Sequence, residues 1–136
     1  MFDFFKKKKG KSDVIVETAV GLLQLQISLG NAEKNYKFKE RIIDQFSRGY
    51  IFGLCDAVLQ SSGIKDNNES MSLLKIVHIN LFGKKDGVSI LDISCNEIQK
   101  QIFMKGRMRG GQEFVEFIRN NKAPMGLAAY LQEGIM

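Results

Sequence analysis

Apolar residues recur at helical spacing across residues 36–62, and the rest of the chain is read around this stretch. At about 100° per residue, Ile42, Ile43, Phe46, Tyr50, Gly53, Leu54 and Ala57 fall on one stripe, with Lys37, Arg41, Asp44 and Arg48 opposite. The pattern predicts a central helix whose first half lies on the surface, where Asp44 and Arg48 form an i, i+4 ion pair. From residue 49 to residue 59 the polar face disappears. Ile51, Phe52, Cys55 and Leu59 occupy it, and Asp56 is the only charged residue. A helix that is apolar all round is enclosed by its neighbours.

The flanking segments also read as helices. Ser12 or Asp13 caps a first helix running to about Leu29, although Leu23, Leu25, Ile27 and Leu29 alternate with polar residues at the period of a strand. The polar loop at residues 65–70 opens a third helix reaching Phe82, with Leu74, Val77 and Leu81 on one side. Asp86 caps a fourth, whose stripe is Val88, Leu91, Cys95, Ile98 and Ile102 and which Gly106 ends. Residues 107–111 form a connection to a helix over residues 112–120, packed through Phe114, Val115, Phe117 and Ile118. Pro124 opens the last helix, which packs through Leu127, Ala128, Tyr130 and Leu131.

The expected fold is therefore all-α, one compact bundle of about six helices around residues 36–62. The alternative is α+β, with a hairpin near residues 74–94, because residues 75–82 also alternate. No internal repeat is evident. No uncharged apolar run of about 18 residues is present, so no membrane-spanning helix is expected.

Charge changes the picture at one end only. The net charge is +5, but residues 1–12 carry five lysines against one aspartate, and the remainder is close to neutral. Lys6, Lys7, Lys8, Lys9 and Lys11 stand beside Phe2, Phe4 and Phe5 in what reads as a disordered basic tail ahead of a domain at residues 13–136. Such a tail suits an anionic membrane surface or, non-specifically, nucleic acid. Cys55 and Cys95 lack CxxC spacing and read as reduced core thiols of a cytoplasmic protein.

Candidate chemistry is sparse. Gly49 and Gly53, four apart, would let a second helix approach closely. Asp56, if enclosed, needs a cation or donors, and His78, Arg107 and Arg109 are the candidates. Arg107, Arg109, Gly110 and Gly111, placed just before a helix start, could hold an anion such as a phosphate. They match neither the P-loop nor the dinucleotide fingerprint. Glu113 and Glu116 read as solvated. A single histidine excludes a multi-histidine metal site, and neither metal nor cofactor is expected.

No catalytic constellation stands out, so an enzyme, for instance one built on Asp56 and His78, is the less favoured reading. The expected role is that of a small helical interaction or regulatory module, cytoplasmic or peripheral at a membrane, with a protein partner or a second copy. The alternative is an anion-binding domain using Arg107, Arg109 and the tail.

Overall fold

The computed structural model describes residues 10–31 and 37–133. The expectations for Lys6, Lys7, Lys8 and Lys9 thus lie outside the described residues, while Lys11 opens the first helix. In chain order the helices are α1 (Lys11–Gly30), α2 (Phe38–Arg41), α3 (Gln45–Ser61), α4 (Asn67–Phe82), α5 (Lys84–Cys95), α6 (Gln101–Asn120) and α7 (Gly126–Glu133). The fold is an all-α compact bundle, with no strand among the described residues.

Both strand-like alternations are helical. In α1 the buried residues are Ile15, Ala19, Leu23, Gln26 and Gly30, at intervals of three and four, so Leu25 and Leu29 of the alternating run face outward. In α4 the buried set is Leu73, Leu74, Val77 and His78, and Asp66 caps the helix by accepting a hydrogen bond from Glu69 N at 3.0 Å. The hairpin alternative fails at Gly83. With φ at 89° it ends α4 and starts α5, joining two helices where a β-turn was considered.

The central helix is shorter than its pattern predicts. It starts at Gln45, with Asp44 as its N-cap accepting from Ser47 N at 3.0 Å, and the upstream residues form the separate α2. Asp44 and Arg48 are therefore not a surface pair. Arg48 is buried; its Nε donates to Ile43 O at 2.8 Å and its Nη1 to Glu97. A second difference accompanies that ion pair. The helix expected from Asp86 to Gly106 breaks after Cys95, and the turn at residues 96–100 brings Glu97 onto the start of α3. Downstream, α6 runs unbroken through Gly106, Gly110 and Gly111, so residues 107–111 are not a connection but the middle of a helix.

α3 and α6 form the heart of the bundle, side by side and running in the same direction. A Cβ on Gly49 would lie 2.1 Å from Phe103 O, one on Gly53 2.0 Å from Arg107 O, one on Gly106 2.2 Å from Phe46 O and one on Gly110 2.2 Å from Tyr50 O. Each helix thus rests a pair of glycines, four apart, on the other's backbone carbonyls. Phe46, Tyr50, Leu54 and Phe103 close the seam and are buried.

This reciprocity reveals an internal repeat that the sequence pattern hides. At one constant spacing Phe46 matches Phe103, Arg48 matches Lys105, Gly49 matches Gly106, Gly53 matches Gly110, Asp56 matches Glu113 and Val58 matches Val115. The two helices are related by an approximate two-fold axis running between them. The flanking helices follow it in part, since α7 packs on α1 and α4 packs on α5.

Candidate functional site

The matched carboxylates Asp56 and Glu113 each reach across the seam, on opposite sides of it. Glu113 Oε1 accepts from Tyr50 Oη at 2.5 Å, and Asp56 Oδ2 faces Arg107 Nη2 at 3.6 Å. Tyr50 and Arg107 are themselves a matched pair. The two sides then diverge.

On the Glu113 side the start of α7 takes the position, leaving a smaller groove of about 440 Å³ beside Arg109, Glu113 and Met125. The same Oε1 accepts from Gly126 N at 2.9 Å, and Oε2 lies 3.5 Å from Arg109 Nη1. Gln26, fully buried in α1, accepts from Leu127 N at 2.9 Å and Ala128 N at 3.2 Å through Oε1, and donates from Nε2 to Tyr50 Oη at 3.0 Å. The first-turn N–H groups of α7 are thus satisfied by two other helices, as an otherwise orphaned helix start requires. Burial, reinforced by Glu113, pushes the Tyr50 hydroxyl far above the usual phenol range, so it remains a donor. Glu113 is not the solvated residue its spacing suggests. Gln26 escapes sequence reading as well; its one signal is a polar residue in phase with Ile15, Ala19 and Leu23.

On the Asp56 side the site is open. α4, the helix that follows α3, is capped by its own Asp66 and gives Asp56 no hydrogen bond; the polar partners of Asp56 are Arg107 and Gln60, the latter donating from Nε2 at 2.8 Å. Beside them a groove of about 790 Å³ runs along the seam, lined by Ala57, Ile98, Met104, Met108 and Val115 and rimmed by Asp56, Arg107 and Glu116. Met104 and Met108 are exposed. Methionine is the side chain best able to reshape around an incoming apolar surface.

The arginines do not share an anion. Arg107 and Arg109, two residues apart in a helix, project in different directions, Arg107 to Asp56 and across the Phe52 ring at 5.1 Å, Arg109 to Glu113. The backbone N–H groups of Gly110 and Gly111 belong to the interior of α6, which removes the helix start that the anion-site reading needs. Nor do Asp56 and His78 meet. Nδ1 of His78 lies 2.7 Å from Leu74 O, and Nε2 has no hydrogen-bond partner among the described residues. Among the described residues no group of three or more His, Cys, Asp or Glu is placed to hold a metal ion. Burial, with Asp56 adjacent, pushes the Cys55 thiol up to about 12, which favours the protonated thiol at neutral pH.

His78 is expected to make the stability of the fold pH-dependent. The Leu74 carbonyl can only accept, so Nδ1 carries the proton and Nε2 is a buried lone pair with no partner among the described residues. Burial lowers its proton affinity below the ordinary value of 6.5. Below that pH the unfolded chain binds a proton that the native state resists, so stability falls as pH drops through 6.5 and towards the depressed native value. The slope is bounded by the about 1.4 kcal/mol per pH unit that a single proton can supply. Urea titrations at several pH values should show this slope, and His78→Asn, which retains a donor near Nδ1 but no titrating group, should lose it.

Comparison with known proteins finds no matching family model, no similar curated protein and no similar solved structure. The molecule is defined by its fold and by the two matched sites on its central helix pair, one taken by the start of α7 and one bordering the larger groove.

Proposed function

We propose that this chain is a helical interaction module that receives an amphipathic helix of a partner protein in the groove beside Asp56. One observation carries the reading. The equivalent position on the other side of the two-fold seam is occupied by the start of a helix, α7, docked on Glu113. A carboxylate at a helix N-terminus satisfies backbone donors and complements the helix dipole. Asp56 offers the same group at the edge of an apolar trough, and α4 does not use it. The expected ligand is a helix that lacks its own cap, carries a small residue in its first turn, as α7 carries Gly126, and buries apolar side chains against Met104 and Met108.

The test is site-specific photo-crosslinking in the native cell, with the photoreactive residue at Met108 and, as a control, at Ile76, an exposed apolar position on α4. The expected result is one adduct at Met108, absent at Ile76 and lost on Arg107→Glu, whose cross-linked peptide has apolar residues at helical spacing. No adduct, or an equal one at Ile76, would reject the reading. An adduct of twice the chain's mass would replace the partner with a second copy.

A further inference from the structure

The larger groove contains a hole of defined shape. Its four corners, Met108, Gly111, Gln112 and Val115, all line the groove and stand on α6 at i, i+3, i+4 and i+7. Four residues at that spacing frame the space into which a facing helix inserts one side chain. Gly111 makes this hole deep. Inside a helix glycine is among the least favourable residues, so its presence needs an offset. At Gly106 and Gly110 the offset is α3, whose backbone oxygens a Cβ would meet at 2.2 Å. Gly111 has no such reason. A Cβ there would meet only Gly53 O among the described residues, at 3.6 Å, an ordinary contact.

The repeat indicates what such a hole receives. At the constant spacing that matches Gly49 to Gly106, the same four positions on α3 are Ile51, Leu54, Cys55 and Val58, and all four are buried. α3 packs on α1, α4, α5 and α7 as well as on α6, so the chain itself covers that set. The main neighbours of α6 are α3 and α7, and Met108 stays 61% exposed. The corner that differs most in size is the second. Leu54 fills its volume on α3, and Gly111 vacates it on α6.

We infer that the hole framed by Met108, Gly111, Gln112 and Val115 is the anchor pocket of the groove, and that it takes one large apolar side chain, a leucine, isoleucine, methionine or phenylalanine, from the partner's helix. This rests on the reading of the groove as a site for a partner helix and adds which side chain that helix must present. Gly111 sets the size of the pocket, because the incoming side chain takes the volume that Leu54 supplies in the matched half. Met108, an unbranched thioether, can fold over it. A side chain of that size, fully desolvated in a pocket, is the kind of residue that dominates a helix-in-groove interface.

The test places the photoreactive residue of the full chain at Met104, which lines the groove one turn from the hole, and varies Gly111 in the native cell. Gly111→Leu, which restores the side chain of the matched position, should lower the yield of the partner adduct at least about tenfold, and Gly111→Ala should lower it by less. Both should keep or raise the urea midpoint, because a Cβ at Gly111 meets α3 only at an ordinary distance while the helix gains propensity. Gly21→Ala, the same change on an exposed face of α1, should leave the adduct unchanged. The peptide cross-linked to the parent should carry a large apolar residue within about one helical turn of the linkage. An adduct undiminished in Gly111→Leu would overturn the inference while the groove reading stands. So would a urea midpoint that falls in Gly111→Ala, since the seam would then be what requires the glycine. No adduct at Met104 in the parent would reject both. An adduct of twice the chain's mass would make the occupant a second copy and overturn its assignment to a partner.

Discussion

Gly53→Ala and Gly110→Ala are each expected to destabilise the bundle by about 3 kcal/mol, whereas Gly21→Ala should stabilise it by up to about 1 kcal/mol. Inside a helix, alanine is preferred to glycine by about 1 kcal/mol, so all three substitutions begin with a gain. At Gly21, exposed on α1, a Cβ meets nothing within 4 Å and the gain survives. At Gly53 and Gly110 it would sit 2.0 and 2.2 Å from backbone oxygens of the facing helix. A carbonyl in a helix has no rotamer to change, so the helices must part by more than an ångström. That opens voids beside Tyr50, Leu54 and Phe103 in a core that tolerates few. Urea denaturation of the three variants would measure the contrast. A Gly53→Ala variant as stable as the parent would show that the seam is looser than described.

What could be read from the sequence follows from which interactions are local. The α-helical character of α1, α3 and α4, the cap-like Asp66 loop and the inward set of α7 follow from spacing within single segments, and the all-α architecture follows from them. The break after Cys95 was not legible, because it depends on Glu97 meeting Arg48, a contact across 49 residues that no periodicity encodes. Residues 107–111 misled for a related reason. Two glycines and two arginines in a short run look like a connection, but the cost of Gly110 in helix propensity is offset only when α3 lies against it. Gly49 and Gly53 could be singled out from one helix; their counterparts could not, and with them the repeat was missed. Asp56 was visible as the lone charge in an apolar run. That it opens onto a groove, with Glu113 capping α7 on the other side, required both helices at once.

The second large effect is expected at Gln26. Gln26→Leu keeps the side chain's bulk but removes the acceptor for Leu127 N and Ala128 N and the donor to Tyr50 Oη. Each buried group left without a partner costs about 1–3 kcal/mol, and a lost helix cap about 1 kcal/mol, so a total of about 3–4 kcal/mol is expected. Tyr50→Phe should cost less, about 1–2 kcal/mol, because Glu113 still accepts from Gly126 and Gln26 still caps the next two residues. The two variants share one network, so their effects should not add, and a double-mutant cycle should return a coupling of at least about 0.5 kcal/mol. Hydrogen exchange separates local from global loss. If the network anchors α7 as described, the amides of Leu127 and Ala128 lose protection in Gln26→Leu before those of α3, while in Tyr50→Phe they keep it. Unchanged protection at Leu127 would mean that apolar packing of Leu127 and Leu131 alone holds α7. Gln26 would then be a satisfied polar passenger, and the docking of α1 on the bundle would have to come from Ile15, Ala19 and Leu23.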